Sequence, residues 1–159
     1  MKRKQSENFE EKLAIGAIGE DIVFNYLVAR NSFVHDHRKE KCKDSGGPRL
    51  IGTEGHLILP DFSVRNKNLN KGDFAVESKV KTSIYPINRK MCFTVDNKYE
   101  HYLRSVKILK LNFLVMAFLF EDRIYFYKDT ECDGITTYNN KYGNGKVYLF
   151  EYNRKNIVY

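Results

Sequence analysis

Three charged residues stand in the middle of two segments that otherwise have the composition of strands. Asp61 interrupts "HLILPDFSVRN", and Glu77 and Lys79 interrupt "GDFAVESKVKT". Because side chains alternate along a strand, Glu77 and Lys79 point to the same face. The turn-forming segment "KNLNKG" joins the two strands, so we expect them to pair and to bring Asp61 close to Glu77.

Two carboxylates that meet in this way repel each other unless a cation lies between them. Carboxylate oxygens, a backbone carbonyl and water are the ligands that Mg²⁺ prefers. A lysine beside such an ion can orient or deprotonate an attacking water, or stabilise the charge that develops on a phosphoryl oxygen. These residue types therefore indicate hydrolysis of phosphodiester bonds. The alternative is a surface hairpin with an ordinary ion pair between Glu77 and Lys79.

Glu20 is a fourth candidate, and it lies in the predicted first helix, "EEKLAIGAIGEDIVFNYLVARN". Asn8 and Glu11 have the spacing of a capping box at the start of this helix. At about 3.6 residues per turn, Glu20 shares an arc with apolar residues, so we expect its carboxylate to face the interior. The apolar residues of that arc are Leu13, Ala17, Phe24 and Leu27.

A second apolar arc predicts that this helix is covered on two sides. Either the partner subunit of a homodimer or the chain's own loops would cover it. The arc consists of Ile15, Ile18, Ile22 and Tyr26.

The rest of the chain predicts an α/β fold in which a mixed central sheet is flanked by helices. A second helix follows Asp96 or Asn97, and its apolar stripe contains Tyr99, Tyr102, Leu103, Val106 and Leu109. Strands are expected at 31–37, 91–95, 112–120, 123–128 and 146–152, and loops at 38–55 and 133–145. We predict a single domain over residues 1–159.

The chain of 159 residues has a formal net charge of +7, which favours a polyanionic partner such as nucleic acid. Its apolar runs are too short for a membrane span, and its charged N-terminus lacks the apolar core of a signal peptide. The three cysteines are widely spaced and form no C-x-x-C pair, which is typical of reduced thiols in the cytoplasm.

Two further groups of residues have weaker patterns. His35, His37 and Cys42 in "HDHRKEKC" are candidate zinc ligands, but a fourth ligand is not evident, and a solvated basic loop explains the same residues. Basic residues elsewhere could neutralise phosphates beside the site, or could be ordinary solvated side chains. They are the cations of 38–49 together with Lys67, Lys71, Lys81, Arg89 and Lys90.

Pro60–Asp61 followed by Glu77–Ser78–Lys79, each on a predicted strand, resembles the PD-(D/E)XK nuclease superfamily. This superfamily includes restriction endonucleases, Holliday junction resolvases and many phage nucleases. The similarity extends to the order of elements from the first helix to about Lys128. It implies a restriction endonuclease-like αβββαβ core.

The resemblance also implies roles for individual residues. Asp61, Glu77, the carbonyl of Ser78 and Glu20 would hold Mg²⁺, for which Mn²⁺ can substitute, and Lys79 would be the catalytic lysine. The second helix of this family often contributes a polar residue near the site, for which Lys98 and His101 are the candidates.

The sequence therefore predicts a Mg²⁺-dependent endonuclease, with DNA favoured over RNA as the nucleic acid that is its substrate. A homodimer would suit cleavage of both strands of a duplex. The first alternative is a nucleic-acid-binding module with the same fold and no catalysis. The second is a protein of another kind in which the charges of the hairpin are incidental.

Overall fold

A five-stranded mixed sheet positions most of the charged residues identified above. The computed structural model describes residues 2–30, 33–40, 48–53, 55–66, 71–140 and 143–159. In chain order its helices and strands are α1 (Lys2–Arg30), β1 (Phe33–Asp36), β2 (Arg49–Gly52), β3 (Gly55–Ile58), β4 (Phe62–Arg65), β5 (Phe74–Val80), β6 (Tyr85–Ile87), β7 (Lys90–Val95), α2 (Lys98–Ile108), β8 (Phe113–Phe120), β9 (Arg123–Lys128), β10 (Gly134–Asn140) and β11 (Gly143–Glu151).

The strand order of the main sheet is β1-β4-β5-β8-β9. β5 and β8 run parallel, and every other neighbouring pair is antiparallel. The connection between the two parallel strands contains α2, as a parallel crossover requires. The predicted α/β class with a mixed sheet is therefore confirmed.

The two faces of β5 contribute to different apolar cores. Phe74 and Val76 pack with Val23 and Leu27 of α1. Ala75, on the other face, packs in the cluster that contains Tyr102 and the rest of the apolar stripe of α2. The predicted alternation along this strand is confirmed, and it directs Glu77 and Lys79 towards α2.

A second sheet, of order β10-β11-β7-β6, covers the same core as α2. The prediction of a loop at 133–145 is wrong, because β10 pairs with β11 from Gly134↔Leu149 to Asn140↔Gly143. Asn and Gly are turn-forming residues, but β11 also pairs with β7 and offers its free edge to β10. Those inter-strand hydrogen bonds outweigh the weak local preference of the segment.

Helix α1 differs from its prediction in two respects. It begins at Lys2, so Asn8 lies inside the helix and does not cap it. Leu13 is 58% exposed and Ala17 is also exposed, because β1 and β5 contact only part of this long helix. The second arc is covered only at Tyr26, which packs against Phe126 and Tyr159, whereas its three isoleucines are exposed among the described residues, Ile18 at 62%. The homodimer stays a prediction.

The region from 38 to 62 is more ordered than expected. Within the predicted loop 38–55, β2 pairs with β3 as a hairpin, while residues 41–47 and 54 lie outside the described residues. The single strand expected around Asp61 is two strands, β3 and β4, separated at Pro60, whose nitrogen cannot donate a hydrogen bond. No helix among the described residues is long and apolar enough to cross a membrane.

Candidate active site

Asp61 lies where the pairing of β4 with β5 ends. The last paired residues are Phe62 and Val76, and beyond them side chains take the place of the backbone ladder. The backbone N–H of Asp61 donates to Glu77 Oε2 at 3.1 Å. In return, the backbone N–H and the hydroxyl of Ser78 donate to Asp61 Oδ2 at 2.9 and 3.0 Å. The two strands therefore hold both carboxylates close together.

Glu77 is the most enclosed member of the site, with 4% of its side chain exposed. Its Oε1 accepts hydrogen bonds from Lys79 Nζ and, at 2.7 Å, from the hydroxyl of Tyr102. Lys79 Nζ is also 3.5 Å from the Tyr102 oxygen, and a third of the lysine side chain is exposed. Lys79 thus connects the buried carboxylate with solvent.

Burial makes these carboxylates weaker acids than usual. It raises the pKa of Asp61 to about 6, and the charge of Glu20 adds to this effect. Burial also raises the pKa of Glu77 to about 7, with a further contribution from Asp61. Burial lowers the pKa of Lys79, but the attraction of Glu77 outweighs it, and the pKa of this lysine lies above its ordinary value. The site therefore holds more negative charge than Lys79 compensates.

Glu20 is the carboxylate that α1 contributes. Its side chain is 34% exposed, and Oε2 is 3.5 Å from Nη1 of Arg38. Burial raises the pKa of Glu20 even though Arg38 opposes this effect, and the charges of Glu77 and Glu20 repel each other. Arg38 is shared, because it also pairs with Asp21 and Asp36 at 2.9 Å each. Glu20 thus reaches the edge of the site in a half-buried position.

Tyr102 is the side chain of α2 that binds Glu77, and it was not among the predicted site residues. The predicted polar candidates lie elsewhere: Lys98 is exposed, and His101 Nδ1 is 3.5 Å from the backbone nitrogen of Ile58. A signal for Tyr102 was present in the sequence. A tyrosine on the buried stripe of a helix needs a hydrogen-bond partner for its hydroxyl.

The predicted basic residues differ in their surroundings. Lys81 is half-buried, donates to the backbone carbonyl of Thr94, and has a pKa lowered to about 8 by burial and by the charge of Lys79. Lys90 forms ion pairs with Asp133 and Glu151. Lys71 and Arg89 are exposed, and Lys67 lies outside the described residues.

The predicted zinc ligands His35 and His37 lie together, with ring centroids 4.6 Å apart. Cys42 lies outside the described residues, and Glu40 joins the two histidines instead. This cluster is separate from the carboxylate site.

The donors at the carboxylate site fit a hard divalent cation such as Mg²⁺, since all of them are oxygens and the negative charge there is in excess. Comparisons with protein-family models, with curated proteins and with solved structures gave no match. The geometry of the site therefore carries the functional argument.

Proposed function

We propose that the protein is a Mg²⁺-dependent nuclease of the PD-(D/E)XK type and that its substrate is DNA. The observation that carries this proposal is the meeting of a buried carboxylate, Glu77, and a half-buried one, Asp61, beside a lysine. Asp61 and Glu77 have pKa values raised to about 6 and about 7, and Lys79 pairs with Glu77. The carboxylate of a surface ion pair does not have a raised pKa. Carboxylates that share a cation site do have raised pKa values while the cation is absent, because they are desolvated and repel each other.

The order of elements supports the same proposal. α1, the strands β1, β4 and β5, then α2 and β8 follow each other in the chain, which is the order of an αβββαβ core. The β2–β3 hairpin and the β6–β7 hairpin would be insertions in that core. The net charge of +7 is consistent with a nucleic acid as substrate.

Asp61 and Glu77 would hold the cation, assisted by Glu20 and the carbonyl of Ser78. A bound Mg²⁺ or Mn²⁺ lowers the pKa of water and neutralises charge on the phosphate. The raised pKa of Lys79 keeps its ammonium group charged at neutral pH. Lys79 would orient or deprotonate the attacking water, or stabilise the charge on a phosphoryl oxygen. Tyr102 holds Glu77 in position through its hydroxyl.

The test is a cleavage assay on supercoiled, linear, branched and single-stranded DNA and on RNA, each with Mg²⁺, Mn²⁺ or EDTA. We expect cleavage of DNA with either metal, none with EDTA, and none by Asp61→Ala. Asp133→Ala is the matched control, because Asp133 is a surface carboxylate paired with Lys90. Undiminished cleavage by Asp61→Ala would contradict the proposed site. Binding of DNA without cleavage under every condition would favour the non-catalytic alternative.

A further inference from the structure

The 3₁₀ turn His37–Lys39 that follows β1 brings three metal-binding side chains together. One ligand atom from each of His35, His37 and Glu40 lies within 4.8 Å of the others. His35 Nε2 is 2.5 Å from Glu40 Oε1, and His37 Nδ1 is 3.7 Å from Glu40 Oε2. The two imidazole rings and the carboxylate therefore converge on one point.

His37 carries the decisive feature of this cluster. Its side chain is 9% exposed, and Nε2 is hydrogen-bonded to the hydroxyl of Ser63 at 2.6 Å. Nδ1 is buried and has no partner within hydrogen-bond distance among the described residues, and Glu40 Oε2 lies 3.7 Å from it. Leaving a buried imidazole nitrogen without a partner is costly, and such a group calls for a specific explanation.

We propose that His35, His37 and Glu40 bind a divalent transition-metal ion, most readily zinc. Imidazole nitrogens together with one carboxylate select zinc over magnesium. The ion would occupy the space towards which Nδ1 of His37 points and would supply the partner that this nitrogen lacks. Solvent would complete the coordination.

The surroundings of the cluster suit such an ion. Bonds of about 2.0–2.2 Å to zinc require only a small rearrangement, because His35 and Glu40 are 60% and 51% exposed and free to adjust. In the tautomer with the proton on Nε2, this nitrogen donates to the hydroxyl of Ser63, and the lone pair on Nδ1 is left for the metal. A cleft of about 380 Å³, lined in part by His35, His37, Ser63 and Arg65, connects the cluster with solvent.

This site is distinct from the carboxylate site but connected to it. The backbone N–H of His37 donates to the carbonyl of Asp61 at 2.9 Å. A metal ion that holds His37 would therefore also hold the backbone at Asp61. Binding of zinc does not depend on nuclease activity, and the two proposals can fail separately.

Zinc titration of the metal-free chain in a non-thiol reductant tests this inference, with Co²⁺ absorption as a second measurement. We expect one strong zinc site per chain, and a loss of affinity of about tenfold or more in His35→Ala and in Glu40→Gln. Ser63→Ala should weaken binding by about tenfold through the tautomer of His37. Asp61→Asn should bind zinc as the wild type does.

His56→Ala is the matched control, because His56 is an exposed histidine beside Arg49 and lies outside the cluster. It should leave zinc affinity unchanged. Wild-type affinity in both His35→Ala and Glu40→Gln would overturn the inference. A thiolate charge-transfer band in the Co²⁺ spectrum would overturn the ligand set, since it requires a cysteine.

Discussion

Half-buried Asp61 and buried Glu77 lie together beside one lysine, and this affects the stability of the protein as well as its chemistry. Burial raises the pKa of Asp61 from 3.8 to about 6. Between these two values the folded chain binds more protons than the unfolded chain, so stability falls as pH rises. Above about pH 6, Asp61 is ionised in the folded protein and the full free-energy cost of its charge lowers the stability.

We therefore predict that Asp61→Asn stabilises the protein in EDTA at pH 8 by about 1–3 kcal/mol. Asparagine keeps an oxygen that can accept the hydrogen bonds of Ser78. The gain should shrink as pH falls below 6, where Asp61 of the wild type becomes protonated. Urea unfolding at pH 8 and pH 4.5 measures this, with Asp133→Asn as the surface control. A variant less stable than the wild type at pH 8 would contradict the prediction.

Tyr102 holds one oxygen of Glu77, and its hydrogen bond favours the charged carboxylate. In Tyr102→Phe the pKa of Glu77 should rise further, so that Mg²⁺ binding sets in at a higher pH and weakens by about tenfold at pH 7. Tyr99→Phe is the control, because Tyr99 lies on the same helix but faces Asp129 and Tyr148. Calorimetric titration of Mg²⁺ across pH 6 to 9 measures both variants. An unchanged pH profile in Tyr102→Phe would show that the hydroxyl does not act on the site.

At the scale of elements, α1 has to bring Glu20 to the edge of the sheet. Glu20→Gln should preserve the melting temperature and reduce the cleavage rate by about 100-fold or more, if the carboxylate reaches the metal directly or through water. Asp21→Asn is the control, since Asp21 also pairs with Arg38 but its side chain is 69% exposed. Its cleavage rate should stay near that of the wild type. Equal rates in Glu20→Gln and the wild type would remove Glu20 from the site.

Gly19 permits the close approach of α1 to β5. A Cβ at this position would lie 2.2 Å from Cγ2 of Val80, so Gly19→Ala must displace the Val80 side chain or push the helix away from the strand. We expect a loss of stability of about 1–3 kcal/mol, together with slower cleavage because Glu20 moves as well. Gly16→Ala is the control, because its Cβ would meet nothing within 4 Å. It should raise stability by about 0.5–1 kcal/mol. Denaturant unfolding measures the stability of both variants. Equal stability of Gly19→Ala and the wild type would show that close packing at Gly19 does not contribute to the free energy of unfolding.

The whole molecule carries a net charge of +7, which predicts that its affinity for DNA falls steeply with salt. Each neutralised phosphate contributes about −0.9 to the slope of log affinity against log salt concentration. Lys81→Gln should make the slope shallower by about 0.9, the contribution of one phosphate, because Lys81 lies beside Lys79. Lys90→Gln should not, because Lys90 is already paired with Asp133 and Glu151. Fluorescence anisotropy in EDTA measures the DNA affinity of both variants at several salt concentrations. If the affinity of the wild type did not change with salt, the alternative in which the charges are incidental would be favoured.

The features of the fold and of the candidate site that could be predicted from the sequence are local ones. The two faces of β5, the buried stripe of α2 and the proximity of Asp61 to Glu77 follow from the alternation of side chains and from a short connection between paired strands. Such features depend on neighbours in the chain, and the structure contains all three.

Which distant elements meet could not be predicted from the sequence. The hydroxyl of Tyr102 reaches Glu77 because the connection between β5 and β8 places α2 over this face of the sheet. Leu13 stays exposed because α1 extends beyond the strands that could cover it, and β10 forms because β11 has a free edge. Whether Tyr102, Leu13 or β10 finds a partner depends on contacts between residues far apart in the chain, which no local pattern specifies.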